Sequence, residues 1–366
     1  MPSRARKKQK QKILVRSPNW IGDQLLALPF FYYLRQAYPQ AEITVSCVPW
    51  VQAVQFRNWV DRVIPLTQPA DLSPWAKFKA MEASAQVLRE NGPWDLGICL
   101  PNSFSSAWIM ARSHVKRRRG FRADSRSFLL NEGQAVLDLD ALHRSEEYVR
   151  LLSSEIPNPG PARDFWGVPP ENPLDEGTPG VITGFDPLAA WPDVVPAQPP
   201  SEKYWVLAPG SMAESRRWWE SSWVGLARQI SEETGLKGLI VGGKIESSIA
   251  RRLTEDPSLR LEDWTQRGAP SSYWKIFRQS QFAVCNDSGL AHLAALCGPR
   301  VQVIWGAGRV QKTRPLGPAV VKLTVNPVEC WPCERNECLR TTGPKLECLG
   351  GITPEMVWKE ISPGLK

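Results

Sequence analysis

Residues 281–306 read QFAVCNDSGLAHLAALCGPRVQVIWG. Phe282 to Cys285 is an apolar run of strand length, and Asn286-Asp287-Ser288-Gly289 is dense in turn and capping residue types. Leu290 to Cys297 then carries small and apolar side chains around a single histidine, which is the composition of a buried helix. Gly298 closes that helix and RVQVIW resumes an apolar strand at once. Strand, turn, helix and strand in so short a span make one βαβ unit of a parallel sheet. The N-terminus of such a helix presents free N–H groups and a partial positive charge to the crevice beyond the strand ends. Two readings of the turn follow: a phosphate site with His292 as an added donor, or a plain capped turn with a packed histidine.

The same alternation runs outward on both sides. YWVLAPG (204–210) is a strand ending in Pro-Gly, and LKGLIVGG (236–243) is the next. Between them, Ser222 is placed to cap a helix running WVGLARQISEE, whose Trp223, Leu226, Ala227 and Ile230 recur at i, i+3, i+4 and i+7, with Gly235 as its stop. Near the N-terminus, Lys12–Arg16, Glu42–Cys47 and Asp95–Leu100 are strand candidates. QLLALPFFYYLRQAYP (24–39) has helical apolar spacing, with Pro29 near its first turn or kinking it. From Phe165 to Lys203 proline and glycine are dense and helical periodicity is lost, with an uncertain last strand of the first domain before the link. The expected division is a basic tail 1–11, a Rossmann-like domain 12–190, a Pro-rich link 191–203, a second Rossmann-like domain 204–350, and a C-terminal helix and tail 351–366. Two successive α/β units joined in this way predict two Rossmann-like domains facing across a cleft.

Composition bounds the function. A chain of 366 residues suits two domains, and no apolar run approaches a membrane span. The segment MPSRARKKQKQK is basic without the apolar core of a secretory signal, so a cytoplasmic protein is expected. Much of the net charge of +8 sits in Arg4–Lys12 and in Lys116–Arg122 (KRRRGFR), and such clusters suit nucleic acid, anionic lipid, a phosphorylated substrate or simply a solvated surface.

Several stretches carry possible chemistry. SPNWIGD (17–23) puts a Gly-Asp pair between a strand and a helix, either as a helix cap or as a carboxylate at the mouth of a site. APGSMAESRRWWESSW (208–223) sends Arg216 and Arg217 out on a loop at a strand's C-terminal end, where guanidinium groups fork onto diphosphate oxygens, unless they only solvate a helix approach. VECWPCERNECLRTTGPKLECL (328–349) spaces Cys330, Cys333, Cys338 and Cys348 as C-x2-C-x4-C-x9-C, which suits zinc, an iron–sulfur cluster or free thiols. The other four cysteines, Cys47, Cys99, Cys285 and Cys297, sit in apolar contexts as small hydrophobes. GLIVGGK has phosphate-loop spacing, yet Ile245 stands where a hydroxyl would hold magnesium and Gly238 lies within a strand. Asp138–Asp140 reads as a surface turn, no His pairs with a nucleophile signature, and a nicotinamide oxidoreductase is a third option for which no G-x-G-x-x-G follows a strand.

SPNWIGD before an apolar helix, the loop PGS…RRWW, the turn NDSGLAHLAALCG and the cysteine-bearing tail occur in one fixed order. That order, from about Lys12 to Ile361, resembles the ADP-heptose:lipopolysaccharide heptosyltransferases of glycosyltransferase family 9. The resemblance implies an α/β fold of GT-B type and an inverting, metal-independent transfer, with the N-terminal domain binding a lipid A–core acceptor and the C-terminal domain ADP-heptose. It makes Asp23 the general base. Arg216 stands where the family has a phosphate-binding Lys. The donor site is expected to comprise Ser211, Met212, Arg216, Arg217, Gly242, Asn286, Asp287, Ser288, Gly289, Leu290 and His292. The acceptor side is expected to comprise Asn19, Trp20, Gly22, Asn102, Lys116, Arg118 and Arg122. No cofactor is expected for catalysis, with zinc or an iron–sulfur cluster possible at the four cysteines. A monomer at the cytoplasmic face of the inner membrane, held by its basic tail and without nucleic acid, completes the expectation. The rivals are a GT-B sugar transferase with another acceptor and, from a different class, a metal-bearing nucleic-acid-binding protein.

Overall fold

The computed structural model describes residues 10–135, 141–156, 165, 185–298 and 300–364. Residues 1–9 of the basic tail, the Asp138–Asp140 turn, most of the Pro-rich stretch and the strand expected before the link lie outside the described residues.

Two six-stranded sheets organise the chain. The first contains β1 (Lys12–Arg16), β2 (Glu42–Cys47), β3 (Arg62–Pro65), β4 (Leu96–Cys99), β5 (Arg117–Phe121) and β6 (Glu132–Gln134), in the order β3-β2-β1-β4-β5-β6. The second contains β7 (Tyr204–Ala208), β8 (Lys237–Ile240), β9 (Leu261–Asp263), β10 (Ala283–Asn286), β11 (Arg300–Trp305) and β12 (Val320–Val325), in the order β12-β11-β10-β7-β8-β9. Every described pairing is parallel; Val15 lies opposite Val45 and Ile98, and Cys285 opposite Ala208 and Val303. Both sheets are covered on two faces, so the central strands are near-continuous apolar runs rather than alternating ones. In each sheet the strand order reverses once, between β1 and β4 and between β7 and β10, and the crevice at the C-terminal ends of such strands is where doubly wound sheets take ligands.

Pro29 breaks the first long helix in two. α1 covers Ile21–Leu26 and α2 covers Leu28–Ala37, with Pro29 in the first turn of α2, where its missing N–H has no partner to lose. α3 (Pro74–Glu90) and α4 (Phe104–Arg112) follow β3 and β4, capped by Ser73 and Ser103. α5 (Glu220–Thr234) begins two residues before the expected Ser222, with Trp219 at its N-cap position, so Ser222 lies inside the helix. Its face Trp223, Leu226, Ala227 and Ile230 is buried as predicted, and Gly235 ends it at φ 65°. α6 covers Gly289–Cys297 and α7 covers Pro354–Ile361.

The chain forms two compact units. The first comprises Met1–Trp20, Ala27–Leu139 and Glu147–Pro159; the second comprises Ile21–Leu26, Asp140–Glu146 and Gly160–Lys366. One core cluster of the first holds Leu14, Leu88, Trp94, Ile109 and Met110. In the second, Trp205, Trp218, Trp223, Leu226 and Ile230 share one core with Val357, Trp358 and Ile361 of α7. The C-terminal helix is thus part of that core rather than an appendage. α1 belongs by its contacts to the second unit although it follows β1 in sequence: it packs on α6.

Candidate functional site

The chemistry of the second unit gathers where its strand order reverses. β7 runs into the loop Pro209–Arg217 and β10 into the turn Asp287–Ser288, and two side chains fasten loop to turn. Asn286 is fully buried; its amide donates to the Pro209 carbonyl and its Oδ1 accepts from the Trp218 N–H at 3.2 Å. The Ser211 hydroxyl donates to the Asp287 carbonyl at 3.0 Å. Arg217 donates from Nε to the Ser211 carbonyl at 2.6 Å and from Nη2 to the Met212 carbonyl at 3.0 Å, so its guanidinium braces the loop that carries it. Met212 itself is exposed. The expected capping roles of Asn286, Asp287 and Ser288 do not form: Asn286 and Asp287 face the loop, and Ser288 at the N-cap makes no side-chain cap.

What remains is a set of buried polar atoms at the start of α6. The Asp287 carboxylate is 2% exposed, with Oδ2 3.4 Å from Arg216 Nε. Burial pushes its carboxyl up to about 6, with Arg216 opposing and Asp23 adding to the rise. His292 is buried and neutral, pulled down to about 3 by burial and by the neighbouring His143 and Arg216. Asp287 Oδ2, Arg216 Nε and His292 Nδ1 have no hydrogen-bond partner among the described residues. Buried polar groups are rarely left in that state, and the N-terminus of a helix favours an anion. Ser288, Gly289 and Leu290 are half-buried beside them.

α1 brings Asp23 to this place. A Cβ at Gly22 would lie 2.7 Å from His292 Cδ2, and one at Gly289 would lie 2.9 Å from Ile21 Cβ. The two glycines therefore permit the approach of α1 to α6. Asp23 is a quarter exposed, with Oδ1 3.8 Å from Arg144 Nε. Next to Arg144, His143 accepts from the Ser145 N–H at Nδ1 and holds the Arg314 carbonyl 3.1 Å from Nε2; burial pulls it down to about 3. Arg144 and His143 sit in ALHRSEEY, a stretch whose sequence gives no motif and whose role shows only in the fold. Gly242 ends in a cradle filled by Glu246, whose Cβ would lie 2.7 Å from an added Cβ there, while Glu246 Oε2 accepts from the Gly243 N–H at 2.7 Å.

In the first unit, the SPNW segment is shaped by a residue the sequence did not single out. Arg16 is buried at the end of β1 and donates to the Ser17 carbonyl and to Asn19 Oδ1; burial pulls its pKa down to about 10. The Asn19 carbonyl accepts from Trp50 Nε1 at 2.8 Å, and Trp20 is 55% exposed. Asn102 bridges two charged groups: its Oδ1 accepts from the fully buried Arg126 at 3.0 Å and its Nδ2 donates to Glu147 at 2.7 Å.

The basic segment 116–122 is placed differently from the expectation of an open acceptor surface. Lys116 lies at the N-terminal end of β5, paired with Asp95 at 2.9 Å, the edge of the sheet remote from Asn19 and Asn102. Arg118 donates to the Leu129 and Val115 carbonyls, while Arg117 and Arg119 pair with Glu132, and Arg119 also with Glu155. A strand alternates its side chains and starts at the wrong edge, so of the three predicted residues only Arg122 lies exposed beyond the C-terminal end of β5.

Cys330, Cys333, Cys338 and Cys348 line one cavity of about 370 Å3 together with Ser215 and Ala307. N–H groups of Leu346 and Arg340 directed at the Cys338 sulfur hold its thiol below the usual range; burial, then the three other sulfurs, raises Cys348. Among the described residues no three His, Cys, Asp or Glu side chains converge closely enough to hold a metal ion. Among the described residues the four cysteines are neighbours without forming a ligand set. The segment they belong to backs the Arg216 loop: Ser215 donates to the Asn336 carbonyl at 3.1 Å, and the Ala307 carbonyl accepts from the Glu334 N–H at 2.9 Å.

The profile of glycosyltransferase family 9 (heptosyltransferase) matches residues 81–342. Lipopolysaccharide heptosyltransferase 2 of Salmonella typhimurium is 25% identical over 319 residues, 83% of this chain and 85% of that protein. The solved E. coli ADP-heptose lipopolysaccharide heptosyltransferase II superposes with a TM-score of 0.70 at 22% identity, covering 97% of this chain and 98% of that one. E. coli heptosyltransferase WaaC, solved with ADP, gives 0.68 at 18% identity, covering 97% and 100%. The likeness to these structures is one of fold, the α/β GT-B type expected from the sequence.

Proposed function

Because this chain belongs to glycosyltransferase family 9, we propose that it transfers heptose from ADP-heptose to the inner core of a lipid A–core acceptor, in the manner of a heptosyltransferase II. The observation that carries the reading is the Arg216–Asp287 ion pair and the buried His292 at the N-terminus of α6, whose Arg216 Nε, Asp287 Oδ2 and His292 Nδ1 have no hydrogen bond among the described residues, with the Asp23 carboxylate brought beside them by α1. The donor diphosphate is assigned to the N–H groups of Ser288, Gly289 and Leu290 and to Arg216. Asn286, Ser211 and Arg217 hold the loop in place, and Met212 and Gly242 border the donor. Asp23 takes the proton of the attacking acceptor hydroxyl as the new glycosidic bond forms at the anomeric carbon and the bond to ADP breaks with inversion. General-base help of this kind typically gives ~10²–10⁴ in rate. Arg144, facing Asp23 at 3.8 Å, aims the carboxylate. Arg216 and the helix end take up the negative charge growing on the departing diphosphate.

Asn19, Trp20, Gly22, Asn102 and Arg122 are assigned to the acceptor side; Lys116 and Arg118 are not, since their partners and their edge of the sheet place them elsewhere. The enzyme is proposed to act as a monomer at the cytoplasmic face of the inner membrane. No described helix is long and apolar enough to cross a membrane.

The test is direct. Purified protein is incubated with ADP-heptose and a panel of truncated lipid A–core acceptors, and a mass gain of one heptose with release of ADP is expected on one of them. ADP at a hundredfold excess over its Kd is expected to add about 2.7 kcal/mol of stability. No transfer to any acceptor, together with an unchanged melting temperature in ADP, would overturn the reading. Transfer to a different acceptor class would favour the related sugar transferase.

A further inference from the structure

Five aromatic rings of the first unit make a continuous ridge. Trp75 stacks on Phe78 with centroids 5.9 Å apart, Phe78 meets Trp108 at 6.3 Å, Trp108 stacks on Phe104 at 5.9 Å, and Phe104 meets Phe128 at 6.3 Å. Much of this ridge faces solvent: Leu72 is 83% exposed, Trp75 63%, Phe78 41% and Phe128 74%. Soluble surfaces rarely leave large apolar side chains in one contiguous patch without a use for it.

The ridge has an address. α3 starts after β3, α4 starts after β4, and Phe128 follows β5, so its rings stand at the C-terminal edge of the first sheet. That edge also carries Asn19, Asn102 and Arg122. It has a charge as well. Lys79 lies over the Trp75 ring with Nζ 5.2 Å from its centroid, and Lys77 is exposed on the same turn of α3; neither is ion-paired among the described residues. The nearby acidic groups are engaged within the fold. Asp71 accepts from the Ser73 N–H, Asp124 from the Phe104 N–H, and Glu82 from Trp108 Nε1 and Arg112.

We propose that the Leu72–Phe128 aromatic ridge, with Lys77 and Lys79, is the surface by which this protein docks on an anionic phospholipid bilayer. Tryptophan and phenylalanine flanked by lysine are the side chains that settle at a lipid–water interface, the rings among the upper acyl carbons and the ammonium groups on headgroup phosphate. The inference rests on the proposed function, since an acceptor that is itself a membrane lipid gives docking at this edge a purpose. It also relocates the contact expected from the basic tail. The tail enters the fold at Lys12, the N-terminal end of β1 and so the opposite edge of the sheet.

Flotation of the full-length protein with phosphatidylcholine vesicles, with and without phosphatidylglycerol, decides the matter. Binding is expected to require phosphatidylglycerol, to fall roughly tenfold or more in a Trp75→Ser/Phe78→Ser variant, and to weaken in Lys77→Gln/Lys79→Gln. Removal of residues 1–9 is expected to leave most of it. These side chains are solvent-exposed, so circular dichroism should report an unaltered fold. Transfer to a delipidated, water-soluble core acceptor should be unchanged in the ridge variants, which separates this proposal from the transferase reading. Wild-type vesicle binding without any transfer would sink the function and keep the ridge. Several results would overturn the ridge itself: vesicle binding unchanged by the double variant, binding lost only with residues 1–9, a ridge-dependent dimer in sedimentation, or ridge-dependent affinity for the soluble oligosaccharide.

Discussion

At the scale of single residues, Asp23 and Asp287 are both carboxylates of the second unit with opposite assignments. Asp23, proposed as the base, is partly exposed and faces Arg144. Asp23→Asn is expected to lower transfer by ~10²–10⁴ while calorimetric ADP affinity stays within a factor of a few. Full activity in that variant would remove the base assignment. Asp287 is buried, and its folded pKa of about 6 stands above the ordinary 3.8. A raised carboxyl binds its proton more tightly when folded, so stability from this group is present at low pH and is lost as pH rises from 3.8 through about 6. Asp287→Asn should therefore raise stability at neutral pH by up to about 3 kcal/mol, with the gain shrinking to nothing near pH 4 in a pH series of urea melts. The same variant should bind ADP-heptose differently, because the partner of Arg216 is gone.

At the scale of elements, the packing of α1 on α6 depends on glycine. Gly22→Ala would gain helix propensity, but its methyl meets the buried His292 ring at 2.7–2.9 Å, so ring or helix must shift. A loss of roughly 1–3 kcal/mol is expected, whereas Gly243→Ala, whose Cβ meets Glu246 only at an ordinary 3.6 Å, should be near neutral in the same melts. Legibility in the sequence followed the same line. β1, β2 and the buried face of α5 were readable because apolar periodicity is local, and Gly235 announced its own stop. The start of α5 was missed because Trp219 caps by position and not by side-chain chemistry. The polar cluster was half visible: NDSG and Arg216 could be named, but not that Asn286 and Arg217 brace a loop, nor that Arg144 meets Asp23 from more than a hundred residues away. KRRRGFR misled because charge density says nothing about which edge of a sheet a strand begins on, nor about the acids waiting opposite it.

At the scale of the whole molecule, acid stability is written into two histidines. His143 and His292 both lie in the second unit and both stand near 3 when folded, against 6.5 ordinarily. The unfolded chain takes up these protons first, so stability is full above pH 6.5 and is lost as pH falls toward 3. Each group contributes a slope of about 1.4 kcal/mol per pH unit, and Asp287 cancels one of them between about 6 and 3.8. Stability measured across pH 7 to 4 should decline accordingly and decline more steeply in Asp287→Asn; a flat profile would refute the buried, neutral state of the histidines. The assignment of Ile21–Leu26 and Asp140–Glu146 to the second unit bears on how this protein could be recombined. The chain changes unit after Trp20, Leu26, Leu139, Glu146 and Pro159, so no single splice separates the parts. A chimera joined in the Pro-rich link would inherit the second sheet and α6 from one parent and the α1 that packs on α6 from another. Such hybrids should express poorly until Ile21–Leu26 is matched to the parent of α6, making this six-residue helix a determinant of which halves are interchangeable.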